Sequence, residues 1–149
     1  MKKLTLILAL LFTTAIGASA QIENPVTWSY AAKKINKTEA VIFLKATIED
    51  GWHIYSQTVK PGGPVKTSIT FSPSKEYVKV GSTLEPKPIV KFEKVFDMNV
   101  SYFENQVIFQ QKVKLLKGTA VVKGKVEFMA CNDRKCLPPD EVSFSVQVK

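Results

Sequence analysis

The sequence predicts an all-β chain folded into an antiparallel sandwich. Three observations predict it: long stretches in which apolar and polar residues alternate, Gly- and Pro-rich turns between them, and no helical apolar repeat after Pro25.

The first element stands outside that sandwich. Lys2 and Lys3 precede a nearly unbroken apolar run from Leu4 to Ile16, followed by Ala18-Ser19-Ala20. A basic start, an apolar stretch of that length and a small-x-small site read as a secretory signal peptide, with cleavage expected after Ala20. The run is shorter than the roughly 20 residues that cross a bilayer, so no stable membrane insertion is expected. Residues 1–20 are therefore read as the signal and 21–149 as a single domain, periplasmic or secreted. Losing Lys2 and Lys3 lowers the formal charge from +8 to +6. The remaining lysines are scattered over polar strand positions, and no nucleic-acid partner is expected.

Val26 to Tyr30 opens the series of strands. Between Glu39 and Glu49, Ile42, Leu44, Ala46 and Ile48 share one face. Trp52 to Gln57, Thr67 to Phe71, Tyr77 to Val80 and Ile89 to Phe92 are shorter candidates. Val107, Phe109, Val113 and Leu115 mark a long strand; Ala120, Val122, Val126, Phe128 and Ala130 mark the next, with Lys123, Lys125 and Glu127 outward. Val142, Phe144, Val146 and Val148 close the set against Ser143, Ser145 and Gln147. Turns fall at Glu49-Asp50-Gly51, Lys60 to Pro64, Ser72-Pro73-Ser74, Glu85 to Pro88 and Lys117-Gly118. Strands of this number and spacing predict an immunoglobulin-like antiparallel β-sandwich. Lys94 to Glu104 is the least strand-like long segment, read as a loop whose Phe96, Met98, Tyr102 and Phe103 must cover something.

The only two cysteines, Cys131 and Cys136, lie in the segment Phe128 to Pro139. If the strand phase continues from Ala120, Ala130 points into the core and Cys131 points out with Met129 and Glu127. An exposed pair is therefore expected, joined through a polar turn at Asn132 and Asp133. Export supplies an oxidising compartment in which cysteines this close are expected to pair. A loop of about six residues gives such a bridge only about 2 kcal/mol by chain entropy. Nor can the pair brace two sheets as an immunoglobulin disulfide does. Two readings stay open on the residues alone. One is a redox pair, whose thiolate Arg134 and Lys135 would favour and Asp133 oppose; the other is a structural bridge holding one loop. A metal site has less support, because His53 is the only histidine and carboxylates would have to supply the other ligands. His53, beside Trp52, is read as a packing or hydrogen-bonding residue. No phosphate loop or Ser-His-Asp set stands out, and no cofactor is expected.

Asp50-Gly51-Trp52-His53-Ile54-Tyr55 with Pro-rich turns after it, Phe96 with Tyr102-Phe103-Glu104, and Cys131 to Cys136 followed by Leu-Pro-Pro carry a resemblance. Over essentially all of residues 21–149 the chain resembles the N-terminal periplasmic domain of the thiol:disulfide interchange protein DsbD. The resemblance implies an immunoglobulin-like domain passing reducing equivalents from a membrane electron transporter or thioredoxin-like proteins to exported, disulfide-containing clients. By motif position it implies Cys136 as the attacking thiol, Cys131 as the resolving thiol and Phe96 as a cap over the pair. His53, Tyr55, Tyr102 and Phe103 are expected with it as site-lining residues. Three departures stand beside it. Four residues separate the cysteines, one fewer than in the best-known members. Lys94 and Val95 replace the acidic residues before the cap phenylalanine. No membrane or thioredoxin-like domain follows, so the donor is expected to be met in trans. The competing expectation is a secreted, non-catalytic immunoglobulin-like binding module with a structural loop disulfide. A third is a scaffold in metal- or haem-protein maturation, including cytochrome c, where cysteines must stay reduced.

Overall fold

The structure, a computed structural model, describes residues 23–149; the expected signal peptide and its cleavage site lie outside the described residues. The described chain forms strands β1 (Val26–Asn36), β2 (Glu39–Ile48), β3 (Trp52–Tyr55), β4 (Ser68–Phe71), β5 (Tyr77–Leu84) and β6 (Ile89–Glu93). They are followed by β7 (Met98–Glu104), β8 (Gln106–Leu115), β9 (Ala120–Phe128), β10 (Ala130–Asn132) and β11 (Asp140–Val148). No helix occurs among the described residues.

Two sheets make the sandwich, in the orders β1-β2-β8-β5 and β11-β9-β4, with every pairing antiparallel. The inward positions of the alternating strands supply one core: Ile42 and Leu44 of β2, Phe109 and Val113 of β8, Val122 and Val126 of β9, Phe144 and Val146 of β11. Burying each such side chain contributes about 1.5–3 kcal/mol, so the period-two pattern determines which sheet faces meet. Gly124 occupies an inward position of β9 for steric reasons. A Cβ there would stand 2.2 Å from the carbonyl oxygen of Thr70 and 2.5 Å from the Phe144 ring.

A third sheet, β10-β3-β7-β6, positions the cysteines. It is assembled from continuations of sandwich strands. β2 leads into β3 through a turn closed by the bond from Trp52 N–H to Glu49 O (3.0 Å), with Gly51 at φ 77°. β7 leads into β8 through the single residue Asn105, at φ 60°, whose carbonyl accepts from Ile48 N–H at 2.8 Å. β9 leads into β10 through Met129 alone.

The alternation located the long strands and misplaced several ends. β1 runs on to Asn36 and β5 to Leu84, while the strand expected over Trp52 to Gln57 stops at Tyr55. Lys94 to Glu104 is not one long loop: β7 occupies most of it, and the loop shrinks to Lys94–Asp97. β7 escaped the period-two pattern because both of its faces are covered, Val100 and Tyr102 on one side and Phe103 on the other.

Candidate redox site at the cysteine loop

The strand pairing sorts the third sheet into two faces. Ala130 pairs with Ile54 and Ile54 with Phe103, and all three join the main core. One residue along each strand, Cys131 lies opposite His53, and Tyr55 lies opposite Tyr102. Tyr55, Val100, Tyr102 and Cys131 form a second buried cluster, against which Val59, Phe96, Met98 and Met129 pack.

Cys131 and Cys136 are joined by a disulfide across a tight hairpin. Asn132 N–H donates to Lys135 O and Leu137 N–H to Ala130 O, both at 2.9 Å. The cysteines fall between these two bonded positions, where antiparallel neighbours approach closely, and their Cα atoms are 4.0 Å apart. Asn132 builds the turn itself: its Oδ1 accepts from the N–H groups of Arg134 and Lys135, each at 2.9 Å.

The two sulfurs sit in unlike surroundings. Cys131 is 1% exposed, whereas Cys136 is on the surface. The expectation that Cys131 would be exposed is therefore corrected. The strand phase does carry it away from the main core, but at Met129 the chain leaves the β11-β9-β4 sheet. Cys131 then comes under the second cluster instead of reaching solvent.

A groove of about 470 Å³ runs past the pair, lined among others by His53, Tyr55, Phe96, Met129, Cys131 and Cys136. Phe96 reaches it from the tip of the β6–β7 hairpin. That tip is held by Phe96 N–H donating to Glu93 O (3.2 Å) and Asp97 N–H to Lys94 O (3.3 Å). Tyr102 lies beside His53, with ring centroids 4.9 Å apart. Phe103 is not at the site. It points to the opposite face, edge-on to Phe109 at 5.9 Å, because successive residues of a strand alternate sides. Met129, Val100, Met98 and Glu93 also belong to the site. The sequence marks Met98 as part of a covering segment and Met129 as sharing the face of Cys131, an apolar residue on the polar phase; it misses Val100 and Glu93.

Burial also governs the site's electrostatics. His53 Nε2 lies 3.3 Å from Tyr55 Oη. Desolvation pushes the imidazole below its ordinary value, Glu93, Glu104 and Asp133 pull it back, and Lys91 adds to the lowering. Burial, with Glu93 nearby, pushes Tyr55 up to about 12, so its phenol stays protonated. Thr67 Oγ1 donates to Tyr55 O at 2.5 Å. Glu85 then fixes the residues that follow, accepting from the Ser56 hydroxyl and from Gln57 N–H (3.0 Å). Of the two cations beside Cys136, Lys135 pairs with Glu23 at 2.5 Å, whereas Arg134 has no salt bridge among the described residues. No group of three His, Cys, Asp or Glu side chains placed to hold a metal occurs among the described residues.

Fold and site together define an immunoglobulin-like β-sandwich that carries a disulfide in an aromatic-walled groove. The sequence pattern of the family described as thiol:disulfide interchange protein DsbD, N-terminal, matches residues 22–148, and the chain belongs to that family. Among solved structures it is similar to the reduced DsbD N-terminal domain of Neisseria meningitidis. That likeness has TM-score 0.59 and 14% identity, covering 89% of this chain and 94% of that one. It is similar also to the N-terminal periplasmic domain of ScsB from Proteus mirabilis, with TM-score 0.62 and 16% identity over 85% of this chain and 48% of that one. A third likeness is to the complex between the DsbD and PilB N-terminal domains of Neisseria meningitidis, with TM-score 0.56 and 14% identity over 87% and 88% of the two chains. No curated protein sequence matches the chain.

Proposed function

We propose that this domain carries out thiol–disulfide exchange in the periplasm, handing reducing equivalents to exported proteins through a reversible Cys131–Cys136 disulfide. The observation that carries the reading is the asymmetry of the pair. Cys136 is open to a partner, while Cys131 is buried directly behind it. In the reduced state Cys136, as thiolate, attacks a client disulfide. Its sulfur bonds to one client sulfur, and the other leaves as thiolate. Cys131 then attacks Cys136, closing the internal bridge and releasing the second client thiol. Arg134 favours the Cys136 thiolate by charge, and Phe96 restricts access along the groove. Residues 1–20 act as the export signal.

Reduction back to the dithiol falls to another protein. The Neisseria DsbD N-terminal domain forms a complex with the PilB N-terminal domain. By that analogy a thioredoxin-like partner docks over the exposed cysteine here, with a membrane electron transporter as the upstream source.

Serine variants test the assignment. Cys131→Ser is expected to stall as a mixed disulfide on Cys136, and Cys136→Ser to form none. Accumulation of the adduct on Cys131 would reverse the roles. Normal exchange by both variants would end the scheme.

A further inference from the structure

We propose that His53 accepts the proton of Cys131 in the resolving step, so that a buried thiol becomes a nucleophile at neutral pH. The inference rests on the reading of Cys131 as the resolving thiol.

A buried thiol in apolar surroundings is a poor source of thiolate, because burial disfavours the charged form. Cys131 lies against Tyr55, Val100 and Tyr102, so without help the resolving step would wait on a rare ionisation. His53 is the residue directly opposite Cys131 on the neighbouring strand, and it lines the same groove as both cysteines. As the chain's only histidine, it is the only side chain whose ordinary titration falls near neutrality. In the tautomer whose Nε2–H donates to Tyr55 Oη the Nδ1 lone pair is free, and Nδ1 has no hydrogen bond to another described residue.

The surroundings favour a base that is neutral at rest and tolerates a proton in passing. Burial keeps the imidazole uncharged at neutral pH. Once protonated it faces Glu93 of β6, Glu104 of β7 and Asp133 of the cysteine loop, against Lys91 of β6. Arg134 and Lys135 line the groove as well. Tyr55 and Tyr102, the phenols packed on its ring, are both raised by burial and do not compete for the proton.

The step balances. The Cys131 Sγ proton passes to His53 Nδ1, and the thiolate forms the Cys131–Cys136 bond. The bond between Cys136 and the client sulfur breaks, its electron pair leaving on that sulfur, which takes up the imidazolium proton. Two electrons have then moved from the domain's dithiol to the client's disulfide.

A chromogenic aryl disulfide tests this on the reduced full-length domain. One aryl thiolate is released when Cys136 is captured and a second when Cys131 resolves the adduct. An aryl thiolate leaves without needing a proton, so the second release reports deprotonation of Cys131. His53→Gln and His53→Phe are expected to slow the second release, relative to the first release of the same variant, at least about tenfold at neutral pH. Both variants should also lose the wild-type plateau above the imidazole titration, their rate climbing steadily with pH. A wild-type rate and pH profile in either folded variant would overturn the role of His53 while leaving the exchange reading intact. If the wild-type domain itself gave no second release, both would fall.

Discussion

The two faces of the β10-β3-β7-β6 sheet come from alternate residues of the same strands and differ in almost every physical respect. On one, Ala130, Ile54 and Phe103 are locked into the sandwich core. On the other, Cys131, His53, Tyr55 and Tyr102 meet a thinner cover of half-buried side chains, Phe96 among them. A single sheet thus serves as scaffold and as site. The lesson is positional: one side chain in two anchors the sheet in the core, and the next lies with the disulfide under half-buried side chains.

The sharpest way to break the comparison is to damage only the scaffold face. Ile54 is fully buried, and Ile54→Ala is expected to cost about 2–5 kcal/mol in denaturant unfolding. The folded fraction of that variant should still form the mixed disulfide on Cys136. A loss below about 1 kcal/mol would mean that the sheet is not anchored through this face.

Damage to the site face should invert the pattern. Phe96→Ala removes a half-buried cover at the tip of a hairpin, so stability should change by less than about 1 kcal/mol. Reduction of the Cys131–Cys136 bridge by a small-molecule thiol should quicken roughly three- to tenfold, because exchange rates depend on access. An unchanged rate would leave Phe96 as packing only.

The smallest expected effect is a pH dependence of stability confined to the site face. His53 is lowered in the folded state, so the unfolded chain takes up its proton first as pH falls. Its contribution is complete above the ordinary value of 6.5 and is lost as pH drops below that, through the lowered folded value. Between about pH 7 and about pH 5, wild-type melting temperature should fall more than that of His53→Gln. Parallel curves for the two would contradict the sign.

How much of this was legible beforehand follows from the same two faces. The scaffold face and the sandwich obey period two, so Ile42, Leu44, Val122 and Phe144 could be placed in the core from sequence. Gln111 broke that pattern. It sits at an inward position of β8, where its Nε2 donates to Val80 O (2.9 Å) and Lys112 O (2.8 Å) and its Oε1 accepts from Thr83 Oγ1 (2.8 Å). These bonds fill the register shift in β5, a tertiary feature with no local signal. On the site face the residues alone marked the two cysteines and a covering segment with Phe96, Met98 and Tyr102; His53, Tyr55 and Phe96 were set beside the cysteines only by the family resemblance. The burial of Cys131 was not legible, because it depends on a change of sheet at one residue, Met129, whose apolar side chain on the polar phase does not by itself reveal where the chain goes.

The reduction potential of the Cys131–Cys136 couple, measured by equilibration with defined thiol buffers, tests most directly whether the disulfide works or merely holds a loop. A working exchange centre predicts a value above about −300 mV, within reach of thioredoxin-like couples. A value well below that, with the domain resisting reduction by such partners, would make the bridge structural and contradict the account.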